Sequence, residues 1–210
     1  MKTHQSRQFR RQMSSVIYRL WPCAIAALVL AGCGQASNKI SGTDNAGSTQ
    51  AHFQLISDPQ DGWQRVATAD GNVSVEFPTS SAGEETVTEI KGVDGQMFSV
   101  LCNVTNKNIN LRLSYNQTPP EAVGMSSTQQ VEQVANSMKQ NGFTIASLNA
   151  VSGPGEVFQI VADKAEGQQR FVMRIAIRNG VMYRAIATST REFNADPAVA
   201  TFINSFQCKP

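Results

Sequence analysis

Few residues of this 210-residue chain are suited to acid–base or metal chemistry. The sequence contains two histidines, His4 and His52, and only His52 lies beyond the basic N-terminal segment. A Ser-His-Asp triad or a Cys-His pair requires a histidine beside its nucleophile, and histidine-rich metal sites require several. We therefore predict no catalytic residue, no metal site and no cofactor, and we expect that the protein is not an enzyme.

Three arginines recur at every fourth position of one predicted strand: Arg170, Arg174 and Arg178. Because side chains alternate between the two faces of a strand, this spacing places all three on one face. Such a face could bind an anionic partner or a glycan. It could also consist of cross-strand pairs that protect a sheet surface, and this second interpretation is favoured.

The segment from Leu30 to Cys33 has the residue order Leu-Ala-Gly-Cys and ends a short apolar run that begins at Ala24. The preceding residues 1–22 contain five basic residues and no acidic residue, which is typical of a secretory signal. The segment resembles the lipobox of bacterial lipoproteins. The resemblance implies that residues 1–32 are a lipoprotein signal peptide and that Cys33 is lipidated. The alternative is an ordinary secretory signal with an unmodified cysteine.

The lipobox resemblance also implies a location. In that family the cysteine thiol carries diacylglycerol, and the new amine carries a further acyl chain such as palmitate. The resulting three acyl chains exceed the two membrane-binding signals needed for stable anchoring. Gly34 follows Cys33 in place of the aspartate that retains many lipoproteins at the inner membrane. We therefore expect a protein anchored to the membrane at the periplasmic face of the cell envelope, at the outer membrane.

Composition divides the remaining chain into a tether and one domain. Five of the 18 basic residues lie in the leader and all 16 acidic residues follow it, so the mature chain carries a net charge of −3. No basic stripe with interleaved aromatic residues occurs, which argues against a nucleic-acid partner. Residues 33–58 are predicted to form the lipidated cysteine and a flexible tether, and residues 59–210 a single domain.

Two cysteines remain for the folded domain, Cys102 and Cys208. In an oxidising periplasm two such residues are interpreted first as one disulfide. That bond would close a loop of about 105 residues and would stabilise the fold by roughly 4 kcal/mol in the chain-entropy model. The alternative is two buried free thiols.

The pattern of apolar residues predicts a mixture of strands and two helices. Alternating apolar residues predict strands near residues 73–77, 98–104, 109–115, 158–162 and 171–188. Asn179-Gly180 is a strong hairpin signal. A two-residue loop there pairs Ile175 with Arg184 on an apolar face, which requires either a bulge or an acidic partner for Arg184. Apolar side chains spaced three and four residues apart predict two helices. The first is expected to be capped at Ser127 and the second, at the C-terminus, at Asp196.

Four segments carry a resemblance to a known fold: Trp63, Val73–Pro78, Gly153–Phe158 and the closing Phe202–Phe206. Their order resembles the fold of the PsbP extrinsic subunit of photosystem II and of the Mog-type Ran-binding proteins, and more closely that of uncharacterised bacterial secreted proteins. The resemblance implies an α+β fold, a three-layer α/β/α sandwich with a mainly antiparallel sheet, one central helix and one C-terminal helix. It supplies no common active site.

These features together predict a non-enzymatic, membrane-anchored periplasmic lipoprotein. We expect it to act as a protein-binding or assembly module of the cell envelope, through a protein partner. The alternative is a small-molecule or glycan-binding lipoprotein, which should contain a concave, aromatic-lined pocket.

Overall fold

The computed structural model describes residues 38–39, 52–58, 60–79, 83–89, 96–104, 107–153, 155–164, 168–190 and 195–209. The predicted signal peptide 1–32, the lipidation site Cys33 and most of the predicted tether lie outside these residues. No helix in the described part of the chain is long and apolar enough to span a membrane.

Most elements in the described part of the chain are strands. The described residues also include two α-helices and one 3-10 turn (Pro120–Ala122), which precedes the first helix. In chain order they are β1 (Asn38–Lys39), β2 (Phe53–Leu55), β3 (Trp63–Thr68), β4 (Val73–Pro78), β5 (Gly83–Glu89), β6 (Gln96–Val104), β7 (Ile109–Gln117), α1 (Ser127–Gln140), β8 (Thr144–Val151), β9 (Val157–Lys164), β10 (Gln169–Arg178), β11 (Val181–Thr190), α2 (Pro197–Asn204) and β12 (Gln207–Cys208).

The described strands form two antiparallel sheets. The larger sheet has the order β1-β5-β6-β7-β11-β10-β9-β8, and the smaller sheet has the order β12-β4-β3-β2. The α+β class and the antiparallel pairing predicted from the sequence are confirmed, whereas the prediction named only one sheet. Sequence alternation marks the predicted strands but does not indicate which sheet each of them joins.

The larger sheet buries apolar side chains on both of its faces. Ile175 on β10 packs in a cluster with Val131 and Met138 of α1, while its chain neighbour Ala176 packs in a second cluster with Phe202 of α2 and Val75 of the smaller sheet. Because consecutive strand residues point to opposite faces, this alternation places α1 on one face and α2 with the smaller sheet on the other. The two predicted helices therefore serve two separate cores.

The two helices begin at cap residues that satisfy their first backbone N–H groups. Asp196 caps α2 as predicted, accepting from the Ala198 amide at 2.8 Å. For α1 the capping residue is Ser126, which forms a reciprocal capping box with Gln129, so the prediction of Ser127 was wrong by one residue. The cause is Gln130, whose side chain is buried and donates to the Met125 carbonyl, and which therefore does not cap the helix.

The β10–β11 hairpin forms without a bulge. Asn179 and Gly180 both have positive φ, and Ile175 pairs with Arg184 as a two-residue loop requires. Arg184 is buried, and its hydrogen-bond partner is the Asn116 side-chain oxygen. Neither sequence-based alternative, a bulge or an acidic partner, is therefore found among the described residues.

The folded domain begins earlier than the predicted boundary at residue 59. Phe53 on β2 is buried and pairs with Thr68 of β3. His52 stacks on Phe98 with ring centroids 3.8 Å apart, and its Nδ1 lies 3.3 Å from the Tyr115 hydroxyl. The sequence did not predict β2 because only one of the three strand residues is buried, so no apolar alternation distinguishes it from the polar tether.

The predicted disulfide is absent: Cys102 and Cys208 are both buried, and neither is disulfide-bonded. Cys102 lies on β6 of the larger sheet, whereas the Cys208 sulfur accepts a hydrogen bond from Arg178 Nε of β10 at 3.5 Å. Cys208 itself lies on β12 of the smaller sheet, so the two cysteines belong to different sheets. The helix that precedes Cys208 nevertheless covers the sheet as expected.

Candidate functional site

The three predicted surface arginines lie on one face of β10, and each has an intramolecular partner. Arg170 forms a bidentate pair with Asp163 of the adjacent strand at 2.9 and 3.1 Å. Arg174 donates to Gln159 on that strand and to the Asn204 side chain at the end of α2. These contacts favour cross-strand pairing over recognition of an anionic partner as the role of this face.

Arg178 differs from the other two arginines because it lies over a glycine. Gly155 has φ +87°, and a Cβ there would collide with the Arg178 guanidinium. The backbone at Gly155 and the Cys208 sulfur together enclose this side chain. Arg178 is therefore part of the packing between β12 and the larger sheet, and it is not a free surface cation.

An open groove runs between α1 and the last strand of the larger sheet. Its volume is ≈ 280 Å³, and it is lined by Glu132, Ala135, Asn136, Lys139, Ile145 and Leu148. Ile145 and Leu148 form the apolar floor, and Glu132 and Lys139 lie two helical turns apart, near its two ends. None of the six lining residues is aromatic, so the groove does not match the aromatic-lined pocket expected of a glycan binder.

Strand β8 borders this groove and is the terminal strand of the larger sheet. Its sequence, Thr-Ile-Ala-Ser-Leu-Asn-Ala-Val, contains no charged residue and no proline. Natural edge strands are usually protected by charges, proline or bulges. A single register shift between Ile145 and Ser147 interrupts β8, and the five residues from Ser147 to Val151 pair regularly with β9. The outer edge of these five residues is therefore an uncharged row of backbone groups.

A polar row crosses the face of the larger sheet that also carries α1. Arg184 on β11 is in register with Ser114 on β7, which is in register with Ser99 on β6. Arg112 and Asn116 flank Ser114 on the same face of β7, because they lie two residues before and after it. Two of these five side chains are arginines and the other three are neutral polar groups, so the row itself contains no acidic side chain. Burial, with a smaller contribution from the charge of Arg112, lowers the pKa of Arg184 to about 10.

A second, partly buried polar contact joins the two sheets. The Tyr183 hydroxyl donates to Asp70 Oδ2 at 2.5 Å and accepts from Asn72 Nδ2 at 3.1 Å. Burial of Asp70 would by itself raise its pKa, but hydrogen bonds from Thr68, Tyr183 and Asn72 outweigh burial and lower the pKa. Burial and the hydrogen bond to Asp70 raise the pKa of Tyr183, so the phenol remains a proton donor.

The described residues do not bring together three or more histidine, cysteine, aspartate or glutamate side chains that could hold a metal ion. The sequence pattern indicated Arg184 but not the polar row around it. Alternate residues of β7 (Asn110, Arg112, Ser114 and Asn116) are all polar, and this periodicity was the available signal. The edge position of β8 had no sequence signal, because strand order is a property of the tertiary structure.

The fold is that of PsbP-like α+β proteins. The solution structure of cyanobacterial PsbP (CyanoP) from Synechocystis sp. PCC 6803 is similar, with a TM-score of 0.50, 11% identity, and coverage of 80% of this chain and 98% of that chain. The crystal structure of LpqN, described as involved in cell envelope biogenesis of Mycobacterium tuberculosis, gives a TM-score of 0.42 and 13% identity over 76% of this chain and 93% of that one. No protein-family model and no curated protein matches the sequence. At these identities the similarity concerns the fold alone.

Proposed function

We propose that this protein is a non-enzymatic lipoprotein of the bacterial cell envelope that binds a partner protein through β8 and the adjacent groove. In this proposal the acylated Cys33 anchors it at the periplasmic face of the outer membrane. The folded part then serves as an α/β/α binding module held on its tether. The main support for this proposal is the uncharged outer edge of β8, whose backbone groups are available to pair with another strand.

Backbone groups on an edge strand favour an extended polypeptide as the ligand. A partner strand would take up the unpaired N–H and C=O groups from Ser147 to Val151, as in other cases of strand addition. Asn149 and Ala150 are exposed on this stretch, so no described side chain blocks the approach. Since β8 has no charge, its selectivity would have to come from the neighbouring groove.

The groove supplies that selectivity through its apolar floor and its charged ends. Ile145 and Leu148 would contact an apolar side chain at the centre of the partner segment. Glu132 and Lys139 carry opposite charges near the two ends, so they would favour a segment with a cation at one end and an anion at the other. We therefore expect the ligand to be an extended segment of an envelope protein, with an apolar side chain at its centre and opposite charges at its two ends.

Photocrosslinking in intact cells tests this surface. A photoreactive residue at exposed Asn149 should trap one envelope protein, whereas the same residue at exposed Asp58, near the smaller sheet, should not. An Ala150→Lys substitution should abolish the crosslink by placing a charge on the edge. The matched substitution Ala200→Lys, at an exposed position of α2, should leave it unchanged.

Two results would contradict the proposal. Crosslinking from Asp58 but not from Asn149 would locate the partner on another surface. The absence of any protein adduct, together with a small molecule that copurifies with the lipidated protein, would favour the ligand-binding alternative.

A further inference from the structure

Arg184, at the centre of the polar row, is a buried cation that has no acidic partner among the described residues. Arg184 is only 7% exposed, and Nη2 donates to the neutral Asn116 side chain. Its Nε is buried and has no hydrogen-bond partner. Even with its pKa lowered to about 10, this guanidinium is protonated at neutral pH. Natural proteins rarely leave a buried cation in this condition without an anion or water nearby.

A second side chain without a hydrogen-bond partner lies at the position paired with Arg184 on the neighbouring strand. Ser114 is fully buried, and its hydroxyl also has no hydrogen-bond partner. It is in register with Arg184 on the neighbouring strand, and paired residues of an antiparallel sheet have Cα atoms about 4.5–5.5 Å apart. Arg184 Nε and the Ser114 hydroxyl are thus two unused donors on one face of the sheet. Two adjacent donors of this kind fit one oxygen-bearing anion.

The burial of neighbouring residues indicates where such an anion would enter. On this face of β7, Asn116 and Ser114 are buried, Arg112 is half-buried and Asn110 is exposed. The site therefore opens toward the Asn110 end of the strand, and the charge of Arg112 lies on that route. A cation at the mouth raises the local concentration of anions.

We propose that Arg184 and Ser114 bind an oxyanion group, a carboxylate or a phosphate, that enters past Arg112. The guanidinium donates Nε–H to one oxygen, and the serine hydroxyl donates to the same group from the adjacent strand. A planar or tetrahedral oxyanion suits this geometry because an arginine can present two parallel donors to it. This site lies on the larger sheet between β6 and β11, apart from the β8 edge.

Thermal unfolding and calorimetric titration of the purified protein test the site. Sodium phosphate, sodium acetate and dihexanoyl phosphatidate are each titrated against sodium chloride at matched ionic strength. We expect saturable stabilisation by at least one oxyanion. A response to phosphate and phosphatidate identifies a phosphate group, a response to phosphatidate alone identifies a lipid headgroup, and a response to acetate identifies a carboxylate.

Variants then connect the response to the two donors. Arg184→Met replaces the charge with an unbranched apolar side chain and should weaken binding by about tenfold or more. Ser114→Ala removes one donor from the site, keeps the charge, and should weaken binding severalfold, so the test survives if Arg184→Met does not fold. Arg174→Met, which removes an arginine already paired with Asn204, should bind like the wild type. No saturable response to any of the three anions, or one that persists in both site variants, would overturn the proposal.

Discussion

At the scale of single residues, one phenol connects the two sheets. Tyr183 is fully buried on β11 of the larger sheet, and its hydroxyl reaches the Asp70-Gly71 turn that joins β3 and β4 of the smaller sheet. Asp70 also accepts from Thr68 and from the Asn72 amide. A buried hydroxyl that lost this acceptor would retain the cost of desolvation. The contact therefore fixes the turn relative to the core.

We expect Tyr183→Phe to lower the free energy of unfolding at pH 7 by about 1–2 kcal/mol, because it removes a hydrogen bond to a charged group that is partly exposed. The pKa of Asp70 is lowered in the folded state, so its contribution is present above the unfolded value near 3.8 and is lost as the pH falls through the folded pKa. The variant should therefore lose less stability than the wild type on acidification below pH 4. Urea unfolding at pH 7 and pH 3 measures both effects.

Asp70→Asn is the control for the acid effect. It keeps an acceptor oxygen for Tyr183 and removes the titrating charge, so it should flatten the same part of the pH profile. Equal stability of Tyr183→Phe and wild type at pH 7 would show that the contact between the sheets contributes little.

At the scale of elements, both helices are fixed at their ends by side chains from other segments or from their own caps. Asp196 caps α2 and also forms an ion pair with Lys107, 2.9 Å away in the β6–β7 turn. At the other end of α2, the guanidinium of Arg174 contacts the Asn204 carbonyl at 3.5 Å. A cation near the last carbonyl groups of a helix opposes the negative end of its dipole. These contacts position α2 over the larger sheet.

For α1 the position of the cap can be tested by a pair of serines. Ser126→Ala should lower the free energy of unfolding by about 1 kcal/mol, because it removes the acceptor for the Gln129 amide. Ser127→Ala, one residue later, should change stability by a few tenths of a kcal/mol at most, since alanine is a strong helix former. Chemical unfolding of the two variants measures the difference.

The reverse order of effects in these variants would place the cap at Ser127, as the sequence pattern predicted. It would also require Gln130 to leave its buried position beside Met125.

At the scale of the whole molecule, one core contains both cysteines of the predicted disulfide. Cys102 and Cys208 belong to the same core, which lies between the larger sheet, the smaller sheet and α2. Both side chains are buried in this core, as cysteines commonly are, and the Cys208 sulfur also accepts a hydrogen bond from Arg178. The fold therefore does not depend on a covalent link between residue 102 and residue 208.

Alkylation of protein purified without reductant measures this state. In denaturant, we expect one adduct on each of Cys102 and Cys208, assigned by peptide mapping. In the native protein both should react slowly, since they are 0% and 3% exposed. Dithiothreitol should leave the melting temperature unchanged. Adducts that form only after reduction, with a lower melting temperature in dithiothreitol, would establish the disulfide and contradict the structure.

Local signals allowed much of the fold to be predicted, for identifiable physical reasons. Asn179-Gly180 specified a hairpin because both residues accept positive φ, and that turn set the register of Ile175 opposite Arg184. Asp196 followed by Pro197 specified the start of α2 because the first helical N–H groups need an acceptor or need to be absent. Interactions of this kind involve residues close in the chain, so the sequence displays them directly.

Long-range arrangement was decided only by the tertiary structure. The place of β8 at the end of the sheet depends on which strands pair, and so does the assignment of Cys102 and Cys208 to different sheets. The polar partner of Arg184 comes from β7, 68 residues away in the chain. The sequence by itself determined the β10–β11 hairpin turn and the start of α2, because both depend on residues that are close together in the chain. Strand order and burial determined the exposed edge and the unpaired donors, because both depend on which distant side chains and backbone groups come into contact.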